Sequence, residues 1–190
     1  MTTEKEDRRI VKTRRNIERT FLDLLKNMSF AEITVQKLAD AALISKGTFY
    51  AHYRDKYDLA EKMITATLAE FRHGIRERID GLLTGGKEDV LLTSLAGTLK
   101  ITLPQLSLLK KIKTDTIDIE ASIRLIMEEE YFYLLKKQGI TPERPELRAH
   151  IISTLMLGFV AWQENHPDEY SPIDYLKEVS NISEEYLRLL

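Results

Sequence analysis

Ile33-Thr34-Val35-Gln36-Lys37-Leu38-Ala39-Asp40-Ala41-Ala42-Leu43-Ile44-Ser45-Lys46-Gly47-Thr48-Phe49-Tyr50-Ala51-His52-Tyr53 is the stretch on which the fold turns. Thr34 can cap a helix, and Val35, Leu38, Ala39 and Ala42 continue at helical spacing. After Leu43-Ile44, Ser45 is a second cap, opening a short helix over about Lys46 to Tyr53. Two short helices joined by a tight turn are the helix-turn-helix plan, whose second helix enters the major groove of DNA. Many helical proteins of other function also contain two short helices and a turn.

The faces of the second helix separate these cases. At 100° per residue, Phe49 and Tyr53 share a face and can pack inward with Ile44. Opposite them lie Gly47 and Ala51, flanked by Thr48 and Tyr50. A helix lying on an ordinary protein surface usually carries long charged side chains there. Small residues instead let the backbone approach base edges, while Thr48 and Tyr50 offer hydroxyls to phosphates or bases. Lys46 can donate to guanine or to a phosphate. Tyr50 and His52 could equally be plain surface packing. Three helix starts, at Thr34, Ser45 and Lys56, present backbone N–H groups that suit phosphate. Lys56 adds a full charge at a helix start, where a cation is disfavoured unless an anion visits.

Working outward, the chain reads as helix throughout. Ile10, Ile17, Phe21, Leu24, Leu25 and Met28 form one apolar stripe, and Ser29-Phe30-Ala31-Glu32 breaks it. Asp55 can cap a long helix from Lys56 to about Leu83, with Asp58 in its first turn. Thr84-Gly85-Gly86 reads as a loop. Further helices are expected at about 88–103, 106–113, 118–138, 145–165 and 172–190, the last capped by Ser171 with Pro172 at its first position. The expected fold class is all-α, with a helix-turn-helix near the N-terminus.

The 190 residues carry 28 Lys/Arg and 30 Asp/Glu, a net charge of −2. The charge is uneven: residues 1–56 hold twelve basic and eight acidic side chains, net +4, which leaves −6 for the rest. Polyanion binding needs only a local positive face, and Arg8, Arg9, Lys12, Arg14, Arg15 and Arg19 supply a candidate. A solvated amphipathic helix would carry the same charges. The absence of cysteine removes disulfides, thiolate metal sites and thiol nucleophiles, and is compatible with a reducing cytoplasm. No apolar run reaches the ~20 residues of a membrane-spanning helix. The charged start, Met1 to Ile10, is unlike a secretory signal, so a cytoplasmic protein without membrane contact is expected.

Enzyme chemistry finds little support. His52, His73, His150 and His166 have no metal-ligand spacing, so no metal or cofactor is expected. Gly85-Gly86-Lys87 lacks the spaced glycines of a phosphate loop, and no serine sits in a G-x-S-x-G turn. Glu128-Glu129-Glu130 reads as a solvated charge run. No catalytic residue is expected.

The central stretch resembles the DNA-binding domain of the TetR family of one-component transcriptional regulators. The resemblance rests on Ile33-Thr34-Val35, Leu38-Ala39, the run Ile44 to Tyr50, His52-Tyr53, Lys56 and Leu59, in order and spacing. It covers residues 11–71. It implies DNA contacts at Thr34, Lys46, Gly47, Thr48, Tyr50, His52 and Lys56. Thr34, Tyr50 and Lys56 look like phosphate contacts; Lys46, Gly47, Thr48 and Ala51 look like groove contacts. Ser45 joins this set through its helix start. The family often has Gly in the turn, where this chain has Leu43. Positive φ there would cost a leucine about 1–2 kcal/mol, unless the turn takes another shape with Leu43 packed inward. The resemblance also implies that residues 72–190 dimerise and hold a small-molecule effector, that two recognition helices read a palindromic operator, and that the protein represses transcription. The overall length and the Gly-Thr-Phe-Tyr wording are loosely similar to regulators near dihydroxyacetone-kinase operons.

In the C-terminal part, Ile151, Ile152, Leu155, Met156, Leu157, Phe159, Val160 and Trp162 surround their helix with apolar surface. Such a helix must be covered on all sides. With Tyr175, Leu176, Val179, Ile182, Tyr186 and Leu187 of the last helix, it suggests a homodimer through a four-helix bundle. A central helix buried within one monomer would show the same pattern. Arg124, Tyr131, Tyr133, His150, Trp162 and Gln163 could line an effector site, but each serves equally well as a satisfied core or surface residue. A helical protein-interaction module that kept the fold without specific operator binding is the alternative function.

Overall fold

A computed structural model describes residues 2–83, 102, 104–112, 117–166 and 172–189. All regular structure among them is helical. In chain order it comprises α1 (Thr2–Asn27), a 3₁₀ turn (Phe30–Glu32), α2 (Val35–Ala41), α3 (Lys46–Tyr50), α4 (Lys56–Leu83), a short helical stretch over 104–110, α5 (Ile119–Gln138), α6 (Pro145–Asn165) and α7 (Pro172–Leu189). The expected loop at 84–86, the helix at 88–103 and the Ser171 cap lie outside the described residues.

Contacts divide the chain within α4. One unit comprises residues 1–67 and 105–117, the other 68–104 and 118–190. In the first unit, Ile17, Phe21 and Leu25 of α1 are buried together with Ile33, Leu38, Phe49, Tyr53, Leu59 and Ile64. Leu106, Leu109 and Ile112 join this unit from late in the sequence.

The local signals account for the element ends. Ser29 and Glu32 close a capping box, with the Glu32 carboxylate accepting from the Ser29 N–H at 2.9 Å and its hydroxyl at 2.7 Å. Asp55 accepts from the N–H groups of Tyr57 and Asp58, both at 2.8 Å, and so opens α4. At 7 and 5 residues, α2 and α3 are far below the ~12–15 residues at which a helix is marginal alone. Their stability comes from burying Leu38 and Phe49, each worth about 1.5–3 kcal/mol. Helix α3 is shorter than expected: past Tyr50 the chain tightens, and the His52 N–H donates to the Phe49 carbonyl at 2.9 Å.

The turn between α2 and α3 decides the question of Leu43. The Leu43 N–H donates to Asp40 and the Ile44 N–H reaches back to Ala39 at 2.9 Å, the paired bonds of a Schellman ending. That ending needs a left-handed residue, and Leu43 has φ 55°. Its side chain is 92% exposed, so it does not pack inward.

In the second unit, α5 packs on α6. Arg124 of α5 donates to the Thr154 hydroxyl of α6 at 2.8 Å, and Ser153 donates to Glu128 at 3.3 Å. Asp118 caps α5, and Gly139, with φ 65°, ends it. Glu130 is 1% exposed and takes a bidentate grip from Arg76 of α4, whose guanidinium lies 3.6 Å from the Tyr133 ring centre. The charge run of the sequence is thus only partly solvated. On α7, Tyr175 packs on Phe159, and its hydroxyl lies 2.8 Å from where a Cβ would stand on Gly158.

Candidate nucleic-acid interface

The helix-turn-helix presents the face that the residue pattern predicts. Phe49 and Tyr53 are buried, while Ser45, Lys46, Gly47, Tyr50 and Ala51 are exposed. Thr48 and His52 are half-buried. The Ser45 hydroxyl oxygen accepts from the Thr48 N–H at 3.0 Å and lies 2.9 Å from the Thr48 hydroxyl, which fixes both side chains at the start of α3. The Thr34 hydroxyl accepts from the Lys37 N–H at 3.2 Å and remains exposed. Tyr50 stands edge-on to Phe49 at 5.7 Å with its ring 54% exposed, a rigid amphipathic group beside the small centre of the face. A Cβ on Gly47 would meet only the Ser45 hydroxyl oxygen, at 3.6 Å. The fold therefore tolerates a larger residue there, and the glycine keeps the outward surface low.

Lys56 is engaged differently from its neighbours. Its ammonium donates to the carbonyls of Phe30 and Ile33, both at 2.8 Å, and of Ala31 at 3.3 Å. It also sits 4.6 Å from the Phe30 ring centre. Burial lowers its pKa from the ordinary lysine value. Carbonyl oxygens thus satisfy this helix-start cation, and they tie the 3₁₀ turn to the base of α4.

Two braces hold the reading face to α1, and neither is visible in the sequence. Asn16 donates to the Ala42 carbonyl at 2.7 Å, at the entry of the turn. The Tyr53 hydroxyl donates to Glu18 at 2.9 Å. Burial, and next that bond to Glu18, push the Tyr53 hydroxyl pKa well above its usual value. Both partners are separated by more than twenty residues, so helical periodicity marks Asn16 and Glu18 only as flank positions of the α1 stripe.

Among the described residues no group of three or more His, Asp or Glu side chains could hold a metal ion, and no helix is long and apolar enough to cross a membrane. In the second unit, Arg124 is bonded to Thr154, the Tyr133 hydroxyl donates to Asp80 at 2.7 Å, and His150 lies 3.8 Å from Glu128. Trp162 stacks on His166 at 3.9 Å. The side chain of Gln163 lies outside the described residues.

Fold and face together define a helix-turn-helix DNA-binding domain in an all-helical protein. Residues 22–63 match the model of bacterial regulatory proteins, tetR family. This match takes in 42 of the 190 residues, from the end of α1 through α2 and α3 into α4. It is 28% identical over 182 residues to the HTH-type transcriptional regulator YxbF of Bacillus subtilis (strain 168), a protein itself uncharacterized. The match takes in 90% of this chain and 45% of that relative, so the chain spans about half the length of the curated relative it matches. Among solved structures, the dihydroxyacetone kinase operon activator DhaS aligns with TM-score 0.59 at 14% identity, over 95% of this chain and 98% of the other. A proposed transcriptional regulator from Pseudomonas aeruginosa PAO1 aligns with TM-score 0.63 at 20% identity, over 91% and 89%. At these identities the likeness concerns the fold.

Proposed function

We propose that the protein is a homodimeric regulator that represses transcription from a palindromic operator and releases it when a small-molecule effector binds. The observation that carries this reading is the outward face of α3: small at Gly47 and Ala51, hydroxyl-bearing at Thr48 and Tyr50, cationic at Lys46. A backbone that can approach base edges, rimmed by donors, is what groove readout requires. Thr34, Ser45 and Tyr50 serve the phosphates; Lys46, Gly47, Thr48 and Ala51 serve the groove; His52 stands at its edge. Lys56 can meet a phosphate only by turning its ammonium away from the carbonyls of the 3₁₀ turn.

Dimerisation is supported by surface that the second unit leaves uncovered. On α6, Met156 and Phe159 are buried, while Ile151 is 46% and Trp162 44% exposed. On α7, Ile182, Tyr186 and Leu187 are exposed, and Ile182 and Tyr186 stand at helical spacing. A second copy would cover both stripes in a four-helix bundle. Sedimentation at micromolar concentration should give a species near twice the 22.0 kDa chain mass. A monomer alone would remove the dimer.

DNA binding is tested by titrating the duplex upstream of the protein's own gene, and random duplex, across salt concentrations. A regulator shows a steep loss with salt and a preference of at least ~10³ for its own site. Equal, weak binding to any duplex favours the protein-interaction module. Tyr50→Phe should weaken operator binding by about 1–3 kcal/mol with the fold intact. Lys56→Ala separates two roles: a lost phosphate contact lowers the salt slope by about 0.9, whereas a loosened 3₁₀ turn keeps the slope and lowers stability.

A further inference from the structure

The three arginines of α4 are Arg72, Arg76 and Arg78, and they are served differently. Arg72 lies 2.5 Å from Glu129, and Arg76 grips Glu130. Arg78 is turned the other way: at 100° per residue it stands about 20° from Phe71 and about 60° from Ile75, both of them buried. The side chain is half-buried, and its Nη1 is closed to solvent with no hydrogen-bond partner among the described residues. Glu77 is next in the chain, but its largely exposed carboxylate lies against His73 at 3.3 Å. Burial lowers the pKa of Arg78 from the ordinary arginine value, and the charge of Glu77 offsets this in part. A guanidinium nevertheless stays charged in a protein, and a buried donor of a charged group is costly to leave unmade. One turn further along α4, a Cβ placed on Gly81 would meet nothing within 4 Å, so there is free space beside this row.

We propose that Arg78 anchors a small organic monocarboxylate with an apolar body, bound in the second unit against the inner side of α4. This rests on the effector-responsive function proposed above and gives the effector a chemical class. The planar guanidinium offers paired N–H donors that match the two oxygens of a carboxylate. Its single charge balances a monoanion. A phosphate group, closer to a dianion, would call for a second cation, and Arg72 and Arg76 are already engaged by acids. Phe71 and Ile75 flank the cation along the same row, apolar surface that suits a hydrocarbon or aromatic body. The low dielectric of such surroundings strengthens the ion pair once it forms.

The test measures, by calorimetry on the full chain, binding of octanoate and phenylacetate, of the matching alcohols octanol and phenylethanol, and of octyl phosphate. At least one carboxylate should bind about tenfold or more tighter than its alcohol and than octyl phosphate. Arg78→Met keeps the length and removes the charge; it should weaken that carboxylate by about tenfold or more and leave the alcohol unchanged. Arg78→Lys, which keeps the charge without the fork, should fall between. Lys26→Met, at an exposed lysine of the first unit paired with Asp23, should change nothing. Thermal unfolding without ligand gives a second reading. Arg78→Met should melt at the same temperature or higher, because it removes a buried charge that has no acceptor. A lower melting temperature means that an acid of the chain itself holds Arg78, and overturns the proposal. So does a carboxylate affinity indifferent to Arg78→Met, a preference for octyl phosphate, or no binding of either carboxylate up to about 10 mM. Failure of the carboxylates to bind while the operator is still bound removes this site and leaves the α3 reading intact. Carboxylate binding that needs Arg78, in a chain that binds no operator, keeps the site and removes its regulatory role.

Discussion

Leu43 and Gly47 are four residues apart and pose opposite problems. Leu43 holds φ 55°, a conformation that side chains with a Cβ resist, and its exposed side chain recovers little. Leu43→Gly should therefore stabilise the first unit by about 1 kcal/mol, read as a higher urea midpoint at unchanged slope. Gly47 sits in a helix with room for a Cβ, so Gly47→Ala should hold or raise stability by up to ~1 kcal/mol. If α3 reads the groove as proposed, the same methyl group would stand between it and the bases. Stability kept while DNA affinity falls would mark the glycine as a requirement of recognition; both unchanged would place the DNA elsewhere. The sequence already contained this face, because helical angles alone separate Phe49 from Gly47. It could not choose between the two shapes of the turn. That choice depended on whether Ile44 could reach back to Ala39, a matter of backbone closure.

Among elements, the first turn of α4 is a small electrostatic device. The Asp58 carboxylate takes Lys62 at 2.9 Å and the Arg54 N–H at 3.0 Å, close to the positive end of the helix dipole. The bond from Lys62 is the main cause, and that from Arg54 a further one, of a carboxyl pKa below the usual range. A depressed acid stabilises the fold at every pH above its unfolded value, about 3.9, and the contribution is lost as pH falls through the folded value. Asp58→Asn should cost about 1 kcal/mol at pH 7, and the difference from the unaltered chain should close below about pH 4 in urea titrations. The start of this helix and the bounds of α5 and α6 were legible, because Asp55, Gly139 and Pro145 punctuate a regular apolar pattern. Partners between elements were not. Glu130 looks like part of a solvated acidic run, and only the tertiary approach of Arg76 explains its burial.

For the molecule as a whole, that pair ties α4 to α5 within the second unit. Removing the acid strands a guanidinium whose side chain keeps about a third of its surface in water. Glu130→Ala should cost about 2–3 kcal/mol, below the ~3–5 of a fully enclosed pair. The loss should appear in thermal unfolding of the second unit, with the chemical shifts of α3 amides unmoved. The positions of the apolar side chains between Ile151 and Trp162 predict a helix apolar on nearly every side, which needs cover all round. The structure divides that helix into a buried side, with Met156 and Phe159, and an open one, with Ile151 and Trp162.

The brevity of α3 has one more consequence. Five residues cannot stay coiled once the aromatic bed under Phe49 loosens. Warming should thus abolish readout and melt the first unit at a common midpoint, leaving no interval in which the domain is intact yet blind to its DNA.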